Sequence, residues 1–416
     1  TLYLVMAFIF INDVPTFNYE KIFKKMCKNI FTEQSQTKYI GVDDLKLDLF
    51  EGMYPLPHGI SYNSYLIDDE KIAVIDSVDA QFANEWLAKL DQALAGRTPH
   101  YIIVQHAEPD HSGSLGVFLM RYPDAQVVAT VAALKFLANF LPDIDLKPRS
   151  IAVRDGQTLS LGNHQLRFIT APLVHWPEVM MTFDDTTGIL YTADAFGTFS
   201  CAGTMDGWPD EARRYYANIV GRFGTNVEAV LQKLRPLDVK AIAPLHGPVL
   251  TDHISQYFEL YRRWSSYTPE TEDDVLIAYA SVYGGTARVA QRLADMLRER
   301  GVGVSLIDLC RTHLSHAVAE AFRVRNIALC SVTLDGDLYP PMHHFLHHLI
   351  LKKLSGRRFA LIENGTWAPV AAARMTEMLA KLPDSTIVQP TLTIRSRLTD
   401  ADLPTLEAIA TALTSR

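Results

Sequence analysis

The six residues His106-Ala107-Glu108-Pro109-Asp110-His111 constrain this chain more than any other feature. They set four groups able to bind metal directly after Tyr101–Gln105, a stretch with the length and composition of a buried strand. Three later positions repeat the situation. His175 follows the strand-like run Leu166–Ala171, Asp194 follows Ile189–Thr192, and His246 follows Ala241–Leu245. Strand ends on one edge of a sheet can converge in space, which would gather four histidines and three carboxylates. Seven ligands are too many for one tetrahedral ion and suit two ions that share a carboxylate. Zinc favours imidazole and thiolate with few carboxylates. Hard carboxylate oxygens beside imidazoles favour iron or manganese. Two such ions, about 3.5–4 Å apart, can hold both ends of a diatomic molecule.

Around this cluster, from about residue 37 to 267, short apolar strands mix with helices. Ile72–Ile75 reads as a strand ending at Asp76, and Gln81–Leu94 as an amphipathic helix. Ala125–Thr130, Met180–Phe183 and Ile189–Thr192 are further strands, the last two forming a hairpin across Asp184–Gly188. Residues 265–274 are polar and read as a linker. Beyond it a regular alternation begins. Val275–Ala280, Val304–Asp308, Ile327–Ser331, Phe359–Glu363 and Thr386–Val388 are strands, separated by helical segments that include Thr286–Arg300, Met342–Leu354, Val370–Leu382 and Asp400–Thr414. Five strand–helix units predict an open, doubly wound parallel sheet.

The first strand of that sheet runs into Ser281-Val282-Tyr283-Gly284-Gly285-Thr286 and then a helix. Backbone N–H groups at a helix start, with glycine and hydroxyl neighbours, cradle an anion. The spacing is that of neither a P-loop nor a dinucleotide fingerprint. Two more loops follow strands on the same edge. Ser331-Val332-Thr333-Leu334-Asp335-Gly336 comes after the third strand, and Asn364-Gly365-Thr366-Trp367 after the fourth. Carboxyl ends of strands beside a topological switch point are where such sheets bind ligands.

The H-x-E-x-D-H cluster resembles the H-x-H-x-D-H of metallo-β-lactamase-like hydrolases, with Glu108 where those enzymes have a second histidine. With the later His, Asp and His it is similar to the flavodiiron proteins, and so is the early segment Gly59–Ile67. The phosphate loop resembles that of flavodoxins. The resemblance runs from about residue 37 to the end of the sequence. It implies an α/β chain with a metallo-β-lactamase-like αββα sandwich over 37–267 and a flavodoxin-like doubly wound parallel five-stranded sheet over 268–416. It implies that His106, Glu108 and His175 hold one iron, that Asp110, His111 and His246 hold the other, and that Asp194 bridges them. It implies flavin mononucleotide (FMN) in the three loops, with Trp367 against the ring. Val332 stands where the family often has proline; backbone shape carries that contact. The expected reaction is reduction of O2 or NO. The implied partners are a separate electron donor, such as a rubredoxin or an NADH-dependent reductase, and a second copy of the chain in a head-to-tail homodimer. The rival reading is a metallo-β-lactamase-fold hydrolase with a fused flavodoxin-like module, against which Glu108 argues.

Other residues carry smaller expectations. His58 is a candidate catalytic proton donor near the metals. Tyr215 and Tyr216 are candidates to offer a phenol there. His343, His344, His347 and His348 share helix faces but have no carboxylate among them, and read as a solvated face, as do His313 and His316. A net charge of -8 argues against nucleic-acid binding. Cys27, Cys201, Cys310 and Cys330 form no C-x-x-C pair, which argues against a rubredoxin site or iron–sulfur cluster and fits a reducing cytosol. The apolar run Leu2–Ile11 is too short to span a bilayer and lacks the basic start of a signal peptide, so residues 1–36 read as an extension of unassigned role and no membrane helix is expected.

Overall fold

The computed structural model describes residues 36–415. Apart from Gln36, the expected extension lies outside the described residues. Two mixed sheets follow. The first has six strands, in the order Thr37–Tyr39, Tyr65–Ile67, Ala73–Ile75, Tyr101–Ile103, Gln126–Thr130 and Ser150–Val153. The second has five: Thr158–Ser160, Gln165–Thr170, Met180–Asp184, Ile189–Tyr191 and Ala241–Ala243.

Period-two alternation packs these sheets face to face. In the first, Ile67, Ala73, Ile75, Ile103 and Val128 point at Leu166, Phe168, Met180, Ile189 and Tyr191 of the second. The intervening Leu66, Val74, Ile102 and Val127 point outward, under helices. One covering helix is Ala83–Leu94, whose buried Trp86, Leu90 and Leu94 recur every four residues. Each such buried side chain contributes about 1.5–3 kcal/mol. The result is a helix–sheet–sheet–helix sandwich with an apolar interior between the sheets.

The second half is a parallel sheet in the order Val304–Asp308, Thr271–Tyr279, Val324–Leu334, Arg358–Asn364, Thr386–Ile387. Leu392–Ile394 pairs beside the far end of the fourth strand. Helices Gly285–Glu299 and Leu403–Thr414 cover one face. Leu314–Arg323, Pro340–Leu351 and Ala371–Leu379 cover the other. This is the doubly wound sheet expected. The linker differs: its last residues are strand, since Thr271 pairs with Val324 across a register shift, and Asp274 accepts from Arg323 Nη1 at 2.6 Å. This pairing with the last residue of helix Leu314–Arg323 ties down a segment whose polar sequence reads as loop. Among the described residues, no helix is long and apolar enough to cross a membrane.

Candidate metal centre and flavin loops

The strand directions bring the cluster together. Ala73–Ile75, Tyr101–Ile103 and Gln126–Thr130 run parallel, so their carboxyl ends share one edge. Ile189–Tyr191 and Ala241–Ala243 run parallel to each other in the facing sheet. His106, Asp194 and His246 leave these strands at that edge. His175 stands on the loop between Gln165–Thr170 and Met180–Asp184. Asp110 and His111 lie on the short helix Pro109–Ser112, which Pro109 opens at its first turn.

All seven predicted side chains meet, in two groups. His106, Glu108, His175 and Asp194 form one; Asp110, His111 and His246 form the other. In each, the ligand atoms lie within 4.8 Å of one another. The carboxylate of Asp194 divides between them. Its Oδ2 is 2.9 Å from His175 Nε2 and 3.8 Å from His106 Nε2, while its Oδ1 is 3.2 Å from His111 Nε2. Glu108 Oε2 reaches His106 Nε2 at 2.9 Å and His175 Nε2 at 3.2 Å. Asp110 Oδ2 lies 3.3 Å from both His111 Nε2 and His246 Nε2.

Asp110 Oδ1 and Oδ2, His111 Nε2, Asp194 Oδ1 and His246 Nε2 are buried and have no hydrogen-bond partner. Each such atom costs about 1–3 kcal/mol if left unsatisfied. Five of them aimed at one space fit a pair of cations. Electrostatics agrees. Burial alone would raise the Asp194 carboxyl, yet His106, His111 and His175 hold it well below the usual carboxylate range. Burial would lower His106, yet Asp194, Glu108 and Glu178 carry it well above 6.5. Imidazoles set against ionised carboxylates in this way hold protons that bound metal would displace.

Supporting residues fix the rings. Glu178, buried, accepts from His106 Nδ1 at 2.8 Å and from the Ala107 N–H at 3.0 Å. His246 Nδ1 donates to the Ser61 carbonyl at 2.7 Å. Because a carboxylate and a carbonyl only accept, each of these Nδ1 atoms carries a proton, which fixes the ring and leaves Nε2 as the nitrogen turned to the site. Asp76 accepts from the Gln105 backbone and side chain at 2.8 and 2.9 Å, which steadies the residue before His106. Tyr215 donates its hydroxyl to Asp194 Oδ2 at 3.0 Å. Phe50, Tyr62 and Tyr215 line the His246 side with rings 5.2, 6.0 and 5.7 Å away, and Trp176 lies 5.2 Å from the His106 ring.

Of the two tyrosines, Tyr215 enters the pocket, while Tyr216 packs against Tyr261 and Trp264. His58 is exposed and belongs to neither ligand group; its turn carries Ser61 and Tyr62 inward instead. Sequence reasoning missed Glu178 and Ser61. A carboxylate three residues after His175 was the only available signal for the first; the second acts through its backbone and leaves none.

The loops expected to hold the flavin gather on the parallel sheet of the second half. Gly284, with φ of 83°, caps the helix Gly285–Glu299, and its N–H donates to Ser281 Oγ at 3.1 Å. A Cβ on Gly285 would stand 2.2 Å from the Ser396 carbonyl oxygen, so that loop tolerates no side chain. Asn364 ties three segments together: Nδ2 donates to Thr286 Oγ1 and to the Ser396 carbonyl, each at 3.2 Å, and Oδ1 accepts from the Ser396 N–H at 3.0 Å. Thr333 Oγ1 accepts from the Val370 and Ala371 N–H groups at 2.9 and 3.1 Å. Ser331 is buried, Val332 is partly exposed, and Leu334-Asp335-Gly336 make the tight turn into Asp337–Leu338. Tyr283 and Trp367 stand 94% and 79% exposed at this edge, two aromatic faces with nothing packed on them. The Ser396 loop is a further participant that sequence reasoning missed, because nothing in its residue types marks it.

A metallo-β-lactamase-like sandwich with a divided His/carboxylate site, joined to a flavodoxin-like sheet, defines a class of protein. The family model described as ODP family beta lactamase matches residues 60–247. The type A flavoprotein fprA of Rhodobacter capsulatus is 32% identical over 362 residues, covering 83% of each chain. The putative diflavin flavoprotein A 2 of Synechocystis sp. is 35% identical over 304 residues, 71% of this chain and 51% of that one. The anaerobic nitric oxide reductase flavorubredoxin of Aliivibrio salmonicida is 29% identical over 80% of this chain and 68% of its own. This chain spans about half the length of the diflavin relatives. Among solved structures, the rubredoxin oxygen:oxidoreductase of Desulfovibrio gigas has a TM-score of 0.85 at 22% identity over 91% of this chain and 96% of that one. The flavodiiron protein of Giardia intestinalis has a TM-score of 0.83 at 25% identity over 91% and 94%. The chain belongs to the type A flavoproteins, the flavodiiron family.

Proposed function

We propose that this protein reduces O2, NO or both at a carboxylate-bridged pair of irons supplied with electrons by FMN. The observation that carries this reading is the division of the Asp194 carboxylate, one oxygen toward each ligand group. His106, Glu108 and His175 would hold one iron, Asp110, His111 and His246 the other, and Asp194 both. Residues 281–286, 331–336 and 364–367 would hold the FMN, its phosphate at the start of helix Gly285–Glu299 and its ring against Trp367. The irons and flavin would supply the electrons that the gas accepts. The names of two relatives, an oxygen oxidoreductase and a nitric oxide reductase, support this choice of gases.

The chain's own residues do the rest. Glu178 and the Ser61 carbonyl orient His106 and His246. The rings of Phe50, Tyr62, Tyr215 and Trp176 keep bulk water from the ligands while admitting a small apolar gas. Reduction of either gas consumes protons. Tyr215, hydrogen-bonded to Asp194 and kept protonated by burial, is the phenol nearest the site and takes the donor role expected of His58.

In this reading the metal-binding domain spans 37–267 and the FMN domain 268–416, with residues 1–36 an extension. Electrons arrive from a separate donor, a rubredoxin or an NADH-dependent reductase. A head-to-tail homodimer would bring the flavin of one protomer to the irons of its partner; the bare Tyr283 and Trp367 support such a covering. Free Cys201, Cys310 and Cys330 support a cytoplasmic location.

The test is anaerobic preparation of reduced, iron- and FMN-loaded protein, then consumption of O2 and of NO side by side. Wild type should consume at least one gas. Asp194→Ala should lose turnover while its flavin absorbance stays. Normal turnover in that variant would end the proposal.

A further inference from the structure

The helix Pro340–Leu351 carries four histidines that the proposed reaction does not use. Their geometry is uneven. His343 and His347 lie with ring centroids 6.4 Å apart and parallel. His344 and His348 instead tilt toward each other at 74°, centroids 4.7 Å apart, with their two Nε2 atoms 3.0 Å apart. Two imidazole nitrogens bound to one ion at about 2.0–2.1 Å, at angles between square and tetrahedral, stand about 2.9–3.4 Å apart. The pair is already at chelating distance.

We propose that His344 and His348 form a second metal site, for a single late first-row divalent ion such as zinc, nickel or copper, bound by two Nε2 atoms with water completing the shell. Neutral imidazole is the preferred ligand of these ions. The pair sits on the last two turns of its helix, the end at which the aligned peptide dipoles favour a cation. Burial and the charges of His344, Lys352 and His347 push His348 down to about 4, so it is neutral at ordinary pH; its Nε2 shares a hydrogen bond with His344 Nε2, and the ion would take the place of that shared proton. The groups facing the pair are His313, at the start of helix Leu314–Arg323, with His343, His347 and Lys352 on its own element and the next residues. Water has access: His344 is exposed, on a hollow of about 770 Å3 that His343, His347, Leu309 and Asp337 also line. The site differs from the diiron ligands in kind. It has no carboxylate among its ligands and no bridging group, so it suits ions that bind nitrogen rather than hard ions that need oxygen.

The experiment is equilibrium dialysis of iron- and FMN-loaded protein against zinc, with zinc and iron both measured by elemental analysis. One zinc per chain should bind with iron content unchanged. Loss of a ligand should weaken it by at least the factor of about 10 that loss of a supporting residue costs. His344→Ala and His348→Ala should each show that loss, and His343→Ala should not. No extra zinc, zinc gained only as iron is lost, or equal weakening in His343→Ala would each overturn the proposal. Gas consumption and flavin content of the same variants, both unchanged, show that each protein is folded.

Discussion

At the scale of the residue, the site depends on atoms that turn toward metal only because something else holds their far side. Glu178 holds His106 Nδ1 and the Ala107 N–H at once. Glu178→Ala should therefore lower iron affinity by about 10–100-fold, the usual cost of removing such a partner. Iron retained after dialysis against a chelator checks this; unchanged retention would show that His106 needs no support. A second histidine tests a different balance. His164 sits buried between Asp184 Oδ2 at 2.7 Å and Gln36 Oε1 at 3.0 Å. Burial alone would lower it, but the hydrogen bond and charge of Asp184 win and raise it above 6.5. A raised folded value means the pair's stabilisation is complete below about pH 6.5 and fades as pH climbs through that folded value. The gap in urea-unfolding free energy between wild type and His164→Asn should thus narrow from pH 6 to pH 9. A constant gap would mean that folding leaves the affinity of His164 for its proton unchanged. His58 shows the limit of reading roles from residue type. It stands near the Ser61-Tyr62 segment in sequence, but its neighbours turn inward and it does not.

At the scale of the element, strand ends and helix starts do the positioning. Every predicted strand around the metal cluster is present with its ends within two residues of those expected, because short continuous apolar runs report which segments are buried on both faces. The polar stretch ahead of Val275 was misread as linker for the converse reason: its ladder partner, Val324, lies about fifty residues on, and no local pattern reports it. The phosphate loop is local and was legible, including its glycines. Gly285 lies against the Ser396 carbonyl with no room for a Cβ. Gly285→Val should push the loop from Ser396 and remove most bound FMN while iron content is unchanged. Flavin absorbance against iron per chain reads both, and a flavin-replete variant would sink the assignment of this loop.

Across the whole molecule, the two halves meet through buried polar contacts as well as shared core. Arg214 donates to Ser315 Oγ, Asn218 donates to the Ser315 carbonyl, and Tyr267 donates to the carbonyls of Gly221 and Lys352. Arg357, almost wholly buried, donates to the carbonyls of Ala321, Phe322, Tyr267 and Ser355, which fastens the passage between the halves to the parallel sheet. Arg357→Met would strand those four oxygens. At about 1–3 kcal/mol for each buried group left unsatisfied, the loss should be about 3 kcal/mol or more. Urea unfolding followed separately by flavin and tryptophan signals checks it. An unchanged midpoint would show that the halves are held by apolar packing alone.

The sequence by itself determined the ligand types, the two sheet patterns and the anion loop, because each is written in residues close together along the chain. H-x-E-x-D-H needs no third dimension to say carboxylate and imidazole, and a strand–glycine–helix run says anion. Only the tertiary structure decided that Asp194 turns one oxygen to each ligand group, that Glu178 and the Ser61 carbonyl orient two imidazole rings, and that Ser396 closes on Gly285. Those facts are distances between residues as far as 185 positions apart. They follow from how two sheets and a parallel half pack, and packing is a property of the whole chain.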